Sequence, residues 1–145
     1  MASPFNLMWL ISVSLDGPLA LLGLFFTTSL PLVEMTNTTI VFAKLLSIVL
    51  LALSVASILV AGLPDFLPGK RALALVLVIY HAGFSTILLQ APRFVPVSFG
   101  DMAERLNITP ERTLGCMHGV VALLVTGWWQ VTLPAVAAAK AGKPV

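Results

Sequence analysis

Charge is the scarcest feature of this chain. Eight basic and 6 acidic residues stand among 145, or 10% of the sequence, where a soluble domain carries about a quarter. The formal net charge of +2 rests on few groups and implies no more than a mild preference for anionic lipid. No run of basic residues with interleaved aromatics exists, which excludes nucleic acid as a partner. Cysteine is almost missing. Cys116 stands alone, which excludes an intrachain disulfide and a thiolate-rich metal site. It has no basic neighbour in sequence to activate it as a nucleophile. There is no G-x-G-x-x-G, P-loop, G-x-S-x-G, H-E-x-x-H or haem signature, and no cofactor is expected. The amino terminus also lacks the basic n-region of a secretory signal, so the first apolar run reads as a retained membrane helix.

What the chain has in abundance is long apolar runs. It is 59% hydrophobic, with a mean hydropathy of +1.03. Four runs reach the ~20 residues that cross a bilayer: about 7–33, 40–63, 72–90 and 113–133. The connectors 34–39 and 64–71 are short, and the second is a turn of two prolines and a glycine. Residues 91–112 form the longest connector and hold Arg93, Asp101, Glu104, Arg105, Glu111 and Arg112. Within it, Asp101 to Leu106 suits a short interfacial helix. Thr109-Pro110-Glu111 is a helix start, with Thr as N-cap and Pro at the first helical position. Short connectors join antiparallel neighbours, so the expected fold is all-α: a single integral-membrane domain, 1–145, folded as an up-down four-helix bundle. No internal repeat is evident.

Orientation is balanced by the positive-inside count. Lys70, Arg71, Lys140 and Lys143 lie on the side of both termini, and Lys44, Arg93, Arg105 and Arg112 toward the other. Two sequons, Asn37-Thr38-Thr39 and Asn107-Ile108-Thr109, share the side away from the termini. If the host glycosylates, Asn37 and Asn107 face a lumen and the termini the cytosol, in the endoplasmic reticulum of a eukaryote.

Against this apolar background, a few polar residues stand out. Asp16 lies inside the first run, where a carboxylate costs about 2.5–3.5 kcal/mol on insertion scales. Gly17 and Pro18 follow it and weaken the local helix ladder, so an irregularity is expected there. At 1.5 Å per residue, Asp16 and His81 reach similar depths, roughly 12–14 Å in from the same side. His118 lies a turn or two into the fourth run, from the opposite side. Ser12 and Asp16 share a face, as do His81 and Ser85, with Tyr80 beside them. Gly115 and Gly119 form a G-x-x-x-G stripe with His118 at its margin.

A carboxylate and an imidazole at one depth within apolar walls make an acid–base pair. Asp16, His81 and His118 are therefore the candidate catalytic residues, and Tyr80, Arg93, Ser85 and Gln90 the candidate substrate contacts. The substrate is expected to be a lipophilic small molecule reached from the lipid bilayer. The two histidines and the aspartate also have the composition of a two-His, one-carboxylate iron site. Their spacing gives that no support, and the depth of His118 argues against it, so no metal is expected. Each residue also has a structural reading. Asp16 and the histidines serve equally as interhelical hydrogen-bond partners, Arg93 as an interfacial anchor, and Trp9, Trp128 and Trp129 as an aromatic belt.

The four-helix plan, Tyr80-His81 in the third helix and His118-Gly119 in the fourth resemble the small hydrophobic proteins of fungal polyketide pathways. The likeness is to the epoxide hydrolase/cyclase type of aurovertin and citreoviridin biosynthesis. It covers most of the chain as architecture. It implies opening of a polyene-derived epoxide by water or an internal hydroxyl, with Asp16 as base and His81 or His118 as acid. Anthrone oxygenases share the size and helix count, but their pattern is not found here. A small membrane isomerase or oxygenase is the alternative within the enzymes, and two readings of other classes remain open. One is a non-catalytic binding or assembly subunit. The other is a transporter or channel, for which so small a bundle would have to form a homo-oligomer.

Overall fold

The computed structural model describes residues 7–32 and 34–142. Their regular structure is all helical, with no strand among the described residues. Helices α1 (Leu7–Phe25), α2 (Asn37–Ala61), α3 (Pro68–Gln90) and α5 (Pro110–Val131) are the long elements, and α4 (Asp101–Arg105) and α6 (Leu133–Lys140) the short ones. Four helical stretches are long and apolar enough to cross a membrane, the last being α5 continued through α6.

The boundaries differ from the expected ones for local reasons. Helix α1 runs through Pro18 without a break. The interruption comes later, at Phe26, followed by a 3-10 turn over Thr27–Ser29. Leu30 is then extended, at φ −65° and ψ 132°, as expected of a residue held out of the helical region by the proline after it, Pro31. The first helix therefore ends well short of Val33, which lies outside the described residues, as does Lys143. Helix α2 begins at Asn37, because the Thr36 hydroxyl caps it, accepting from the Thr39 N–H at 3.1 Å. The expected cap of α5 is present: Thr109 accepts from the Arg112 N–H at 3.3 Å.

Helix α3 begins at Pro68, so Lys70 and Arg71 belong to its first turn rather than to a loop. Both are buried. Lys70 Nζ donates to the carbonyls of Ala61 and Leu63, at 3.3 and 2.8 Å, and pairs with Asp65 at 2.8 Å. It thereby satisfies carbonyls at the end of α2 that have no helical partner. Arg71 donates to Thr132 Oγ1 at 2.7 Å and lies over the Trp129 ring at 3.9 Å. Trp9 and Trp128 are buried and meet edge to face at 5.6 Å, with Lys70 over both rings. These two tryptophans are core residues, not the aromatic belt that composition suggests. Together with Met8, Ala74, Leu77, Val121 and Val125 they form the aliphatic and aromatic core.

The helices pack most extensively as two pairs, α1 with α2 and α3 with α5. Gly17 lies near Ser54, and Gly23 near Ser47, so α1 and α2 run antiparallel. Gly115 abuts Leu88 and Leu89, and Gly119 abuts Ser85, so α3 and α5 do too. Polarity is inverted relative to a soluble bundle. Helix α2 buries Ser47, Ser54 and Ser57 and exposes Phe42, Leu45, Ile48, Val49, Val55 and Leu59. Small and hydroxyl-bearing faces inside with aliphatic faces outside are the packing that lipid favours, because burial of Leu against Leu gains little there.

Candidate functional site

Four helical positions converge in the half of the bundle next to the long connector. Asp16 comes from α1, Tyr80 and His81 from α3, and His118 from α5. Asp16, His81 and His118 are each 1% exposed or less. The Tyr80 hydroxyl donates to Asp16 Oδ1 at 3.1 Å. Asp16 Oδ2 lies 3.8 Å from His81 Nε2, and Oδ1 lies 4.0 Å from His118 Nε2. Ser12, one turn before Asp16, places its Oγ 2.9 Å from His81 Nε2. The two imidazoles meet through their Nδ1 atoms at 2.8 Å, so one of the two nitrogens carries the proton. His118 Nε2 is buried without a hydrogen-bond partner.

The depth that argued against His118 in the sequence does not separate the rings. His81 precedes the end of α3 at Gln90 by nine residues, and His118 follows the start of α5 at Pro110 by eight. Both therefore lie roughly 12–14 Å from the connector. Gly119 permits the approach: a Cβ there would come within 2.9 Å of Ser85 Oγ.

Beside this cluster a cavity of about 700 Å³ opens between α1, α2, α3, α5 and the connectors. Its walls are almost wholly apolar, among them Leu19, Phe42, Leu46, Phe84 and Phe94, with Thr36, Thr38 and Thr39 on one side. Tyr80 and His118 are the cluster residues that line it. The volume lies within the ~300–1,000 Å³ range of small-molecule sites. Phe84 packs against both His118 and Tyr80, with ring centres 5.1 and 4.6 Å apart.

The other candidate contacts are placed differently. Ser85 packs against Gly119, and Gln90 is exposed at the end of α3; neither lines the cavity. Arg93 is engaged by the connector itself. It pairs with Glu104 at 2.8 Å and donates to the carbonyls of Val95 and Val97, at 3.3 and 3.1 Å. With Glu34 and Phe94 it lines a separate pocket of about 350 Å³. Asn37 and Asn107 are both exposed, Asn37 as the first residue of α2 and Asn107 at a φ of 57°.

Two residues of the site carry little signal in the sequence. Ser12 was visible only as part of a stripe, four residues before Asp16. Glu111 was read as a helix-start acid; it is buried and accepts from the N–H groups of Phe94 and Val95, at 2.9 and 2.7 Å. It pins the segment that supplies Phe94 to the cavity wall. No family model, curated protein or solved structure matches this chain.

Proposed function

We propose that this chain is a multi-pass membrane protein and an acid–base enzyme acting on a lipophilic small molecule. The reaction that suits it best is epoxide opening, by water or by a hydroxyl of the substrate. The observation that carries this reading is the buried Asp16–His81–His118 cluster beside an apolar cavity of about 700 Å³. A buried carboxylate and two imidazoles cost stability in a membrane, and ionisable groups kept there at that cost mark a functional site. Apolar walls and an aliphatic outer surface favour a substrate that arrives from the bilayer.

The proton path follows the contacts. Asp16 takes the proton of the attacking hydroxyl through Tyr80, a residue lining the cavity, whose hydroxyl gives its own proton to Asp16 Oδ1 and accepts the nucleophile's, as the new C–O bond forms and the epoxide C–O bond breaks. His118 Nε2–H gives a proton to the oxygen that leaves carbon. His81 passes its Nδ1 proton to His118 Nδ1 and is recharged at Nε2 from Asp16. The starting tautomers have His81 protonated on Nδ1 and His118 on Nε2, with the Ser12 hydroxyl donating to His81 Nε2. Exchange with water on product release restores them. Tyr80 holds the Asp16 carboxylate from the cavity side.

The test uses the purified chain in liposomes with a panel of long-chain and polyene-derived epoxides in ¹⁸O-labelled water. The expected product is a diol carrying one ¹⁸O, or a cyclic ether carrying none where the substrate holds a hydroxyl. Turnover by Asp16→Asn equal to that of the wild type removes Asp16 as the base.

A further inference from the structure

We propose that Asp16, His81 and His118 form a binding site for one divalent transition-metal ion of the borderline class, such as Zn(II), Co(II) or Fe(II). Three observations carry it. First, one donor atom from each residue lies within 4.8 Å of the others, and the three residues come from three separate helices. Second, all three side chains are buried, and His118 Nε2 has no hydrogen-bond partner there, so a ligating nitrogen is left unsatisfied. Third, the surrounding groups are those that orient ligands. Tyr80 donates to the carboxylate, Ser12 contacts the His81 ring, and Phe84 packs at a tilt against His118. Such outer partners fix ring orientation and carboxylate position in metal sites.

The donor set selects the ion. Two imidazoles and one carboxylate suit Zn, Fe, Co or Ni better than Mg or Ca, and the absence of thiolate argues against a soft ion. Cys116 is exposed and takes no part. Donors that share an ion at about 2.0–2.2 Å stand roughly 3–3.4 Å apart. One donor atom from each residue lies within 4.8 Å of the others, and the carboxylate oxygens stand 3.8 and 4.0 Å from the two Nε2 atoms. Side-chain rotations of about an ångström close the set. Each imidazole ligates as the neutral ring, with its one proton on the nitrogen that does not meet the ion, so ion entry displaces the Nδ1–Nδ1 hydrogen bond. Three protein donors leave positions on the ion for water or a substrate oxygen.

Binding of the ion does not rest on the acid–base reading, but it bears on it, since ligated side chains no longer carry protons. The experiment is a Co(II) titration of the detergent-solubilised full-length chain after chelator treatment, followed by visible absorption. The expected result is d–d bands that saturate at one Co(II) per chain and disappear on addition of Zn(II). His81→Asn, His118→Asn and Asp16→Asn should each weaken binding by more than about a hundredfold, beyond the range seen for outer-shell changes. Ser85→Ala, outside the triad, should leave it unchanged. Absence of the bands in the wild type overturns the proposal, as does binding that survives all three triad substitutions. Turnover of an epoxide with and without chelator is a separate arm. Activity that falls on metal loading keeps the acid–base reading. Activity that requires the metal overturns that reading while leaving the site in place.

Discussion

His81 and His118 face each other through Nδ1 atoms 2.8 Å apart, in the interior of a bundle whose outer surface is aliphatic. A hydrogen bond between two imidazoles leaves each ring its second nitrogen. His81 Nε2 meets Ser12 and faces Asp16, and His118 Nε2 has no hydrogen-bond partner. The pair thus joins the carboxylate of α1 to a ring that lines the cavity. Proton transfer and metal binding both follow from this one contact.

The Tyr80 hydroxyl is bonded to Asp16, so Tyr80→Phe leaves the carboxylate short of one donor. Hydrogen bonds to charged groups contribute about 1.5–3 kcal/mol. Thermal unfolding in detergent should show a loss of that order, together with reduced turnover. A variant as stable and as active as the wild type would detach Tyr80 from the site.

Close approach of α1 and α2 depends on Gly23. A Cβ there would overlap Ser47 Oγ and lie 3.3 Å from Ser47 Cβ. Gly23→Ala should destabilise by about 1–3 kcal/mol, the usual cost of overpacking. Because the hydroxyl is the main obstacle, adding Ser47→Ala should recover most of the loss. The measurement is a double-mutant cycle in detergent unfolding, and strict additivity would contradict the packing described.

Glu111 holds the connector through two backbone amides, at 2.9 and 2.7 Å. Glu111→Gln gives up the charge on that acceptor and should cost about 1.5–3 kcal/mol locally. Hydrogen–deuterium exchange should rise at Phe94 and Val95 while the centre of α3 stays protected. Unchanged exchange at those amides would show that the carboxylate does not fix them.

The exposed end of the connector carries a pH dependence. A hydrogen bond from Ser98, and then the Arg93 guanidinium, hold the Glu104 carboxyl below its ordinary range. A group with a depressed folded pKa contributes order above its unfolded value and loses it as pH falls through the folded one. The Arg93–Glu104 contact should therefore persist through neutral pH and release only below the ordinary carboxylate range. The Glu104 carboxyl ¹³C shift followed by NMR tests this, and a midpoint at or above the ordinary carboxylate value would contradict it.

The sequence carried the number of long helices, and their depth arithmetic brought Asp16 and His81 together. The sequence also put Ser12 and Asp16 on one face, because polar groups among aliphatics stand out at helical spacing. It misplaced His118, because depth was counted from a helix start at 113 and from the far end of α3. Pro110, Glu111 and Arg112, which follow the Thr109 cap, are already helical and shift the helix start, and close packing at Gly115 and Gly119 sets the register of the two helices. Lys70, Arg71, Trp9 and Trp128 were read as surface groups by type. Their burial depends on partners from other elements: Asp65, Thr132 and each other. Such partners are distant in sequence or carry no periodic signal. Arg93 has partners of the same kind, Glu104 and the connector carbonyls.

The most direct measurement is turnover of a lipophilic epoxide by the chain in liposomes, compared between the wild type and His118→Gln at matched folding by circular dichroism. Loss of a positioned acid or base costs about 10²–10⁴ in rate. The account predicts a fall of at least about a hundredfold in kcat with native helix content retained. Equal turnover by the two proteins, or no turnover of any lipophilic epoxide by the wild type, would contradict it.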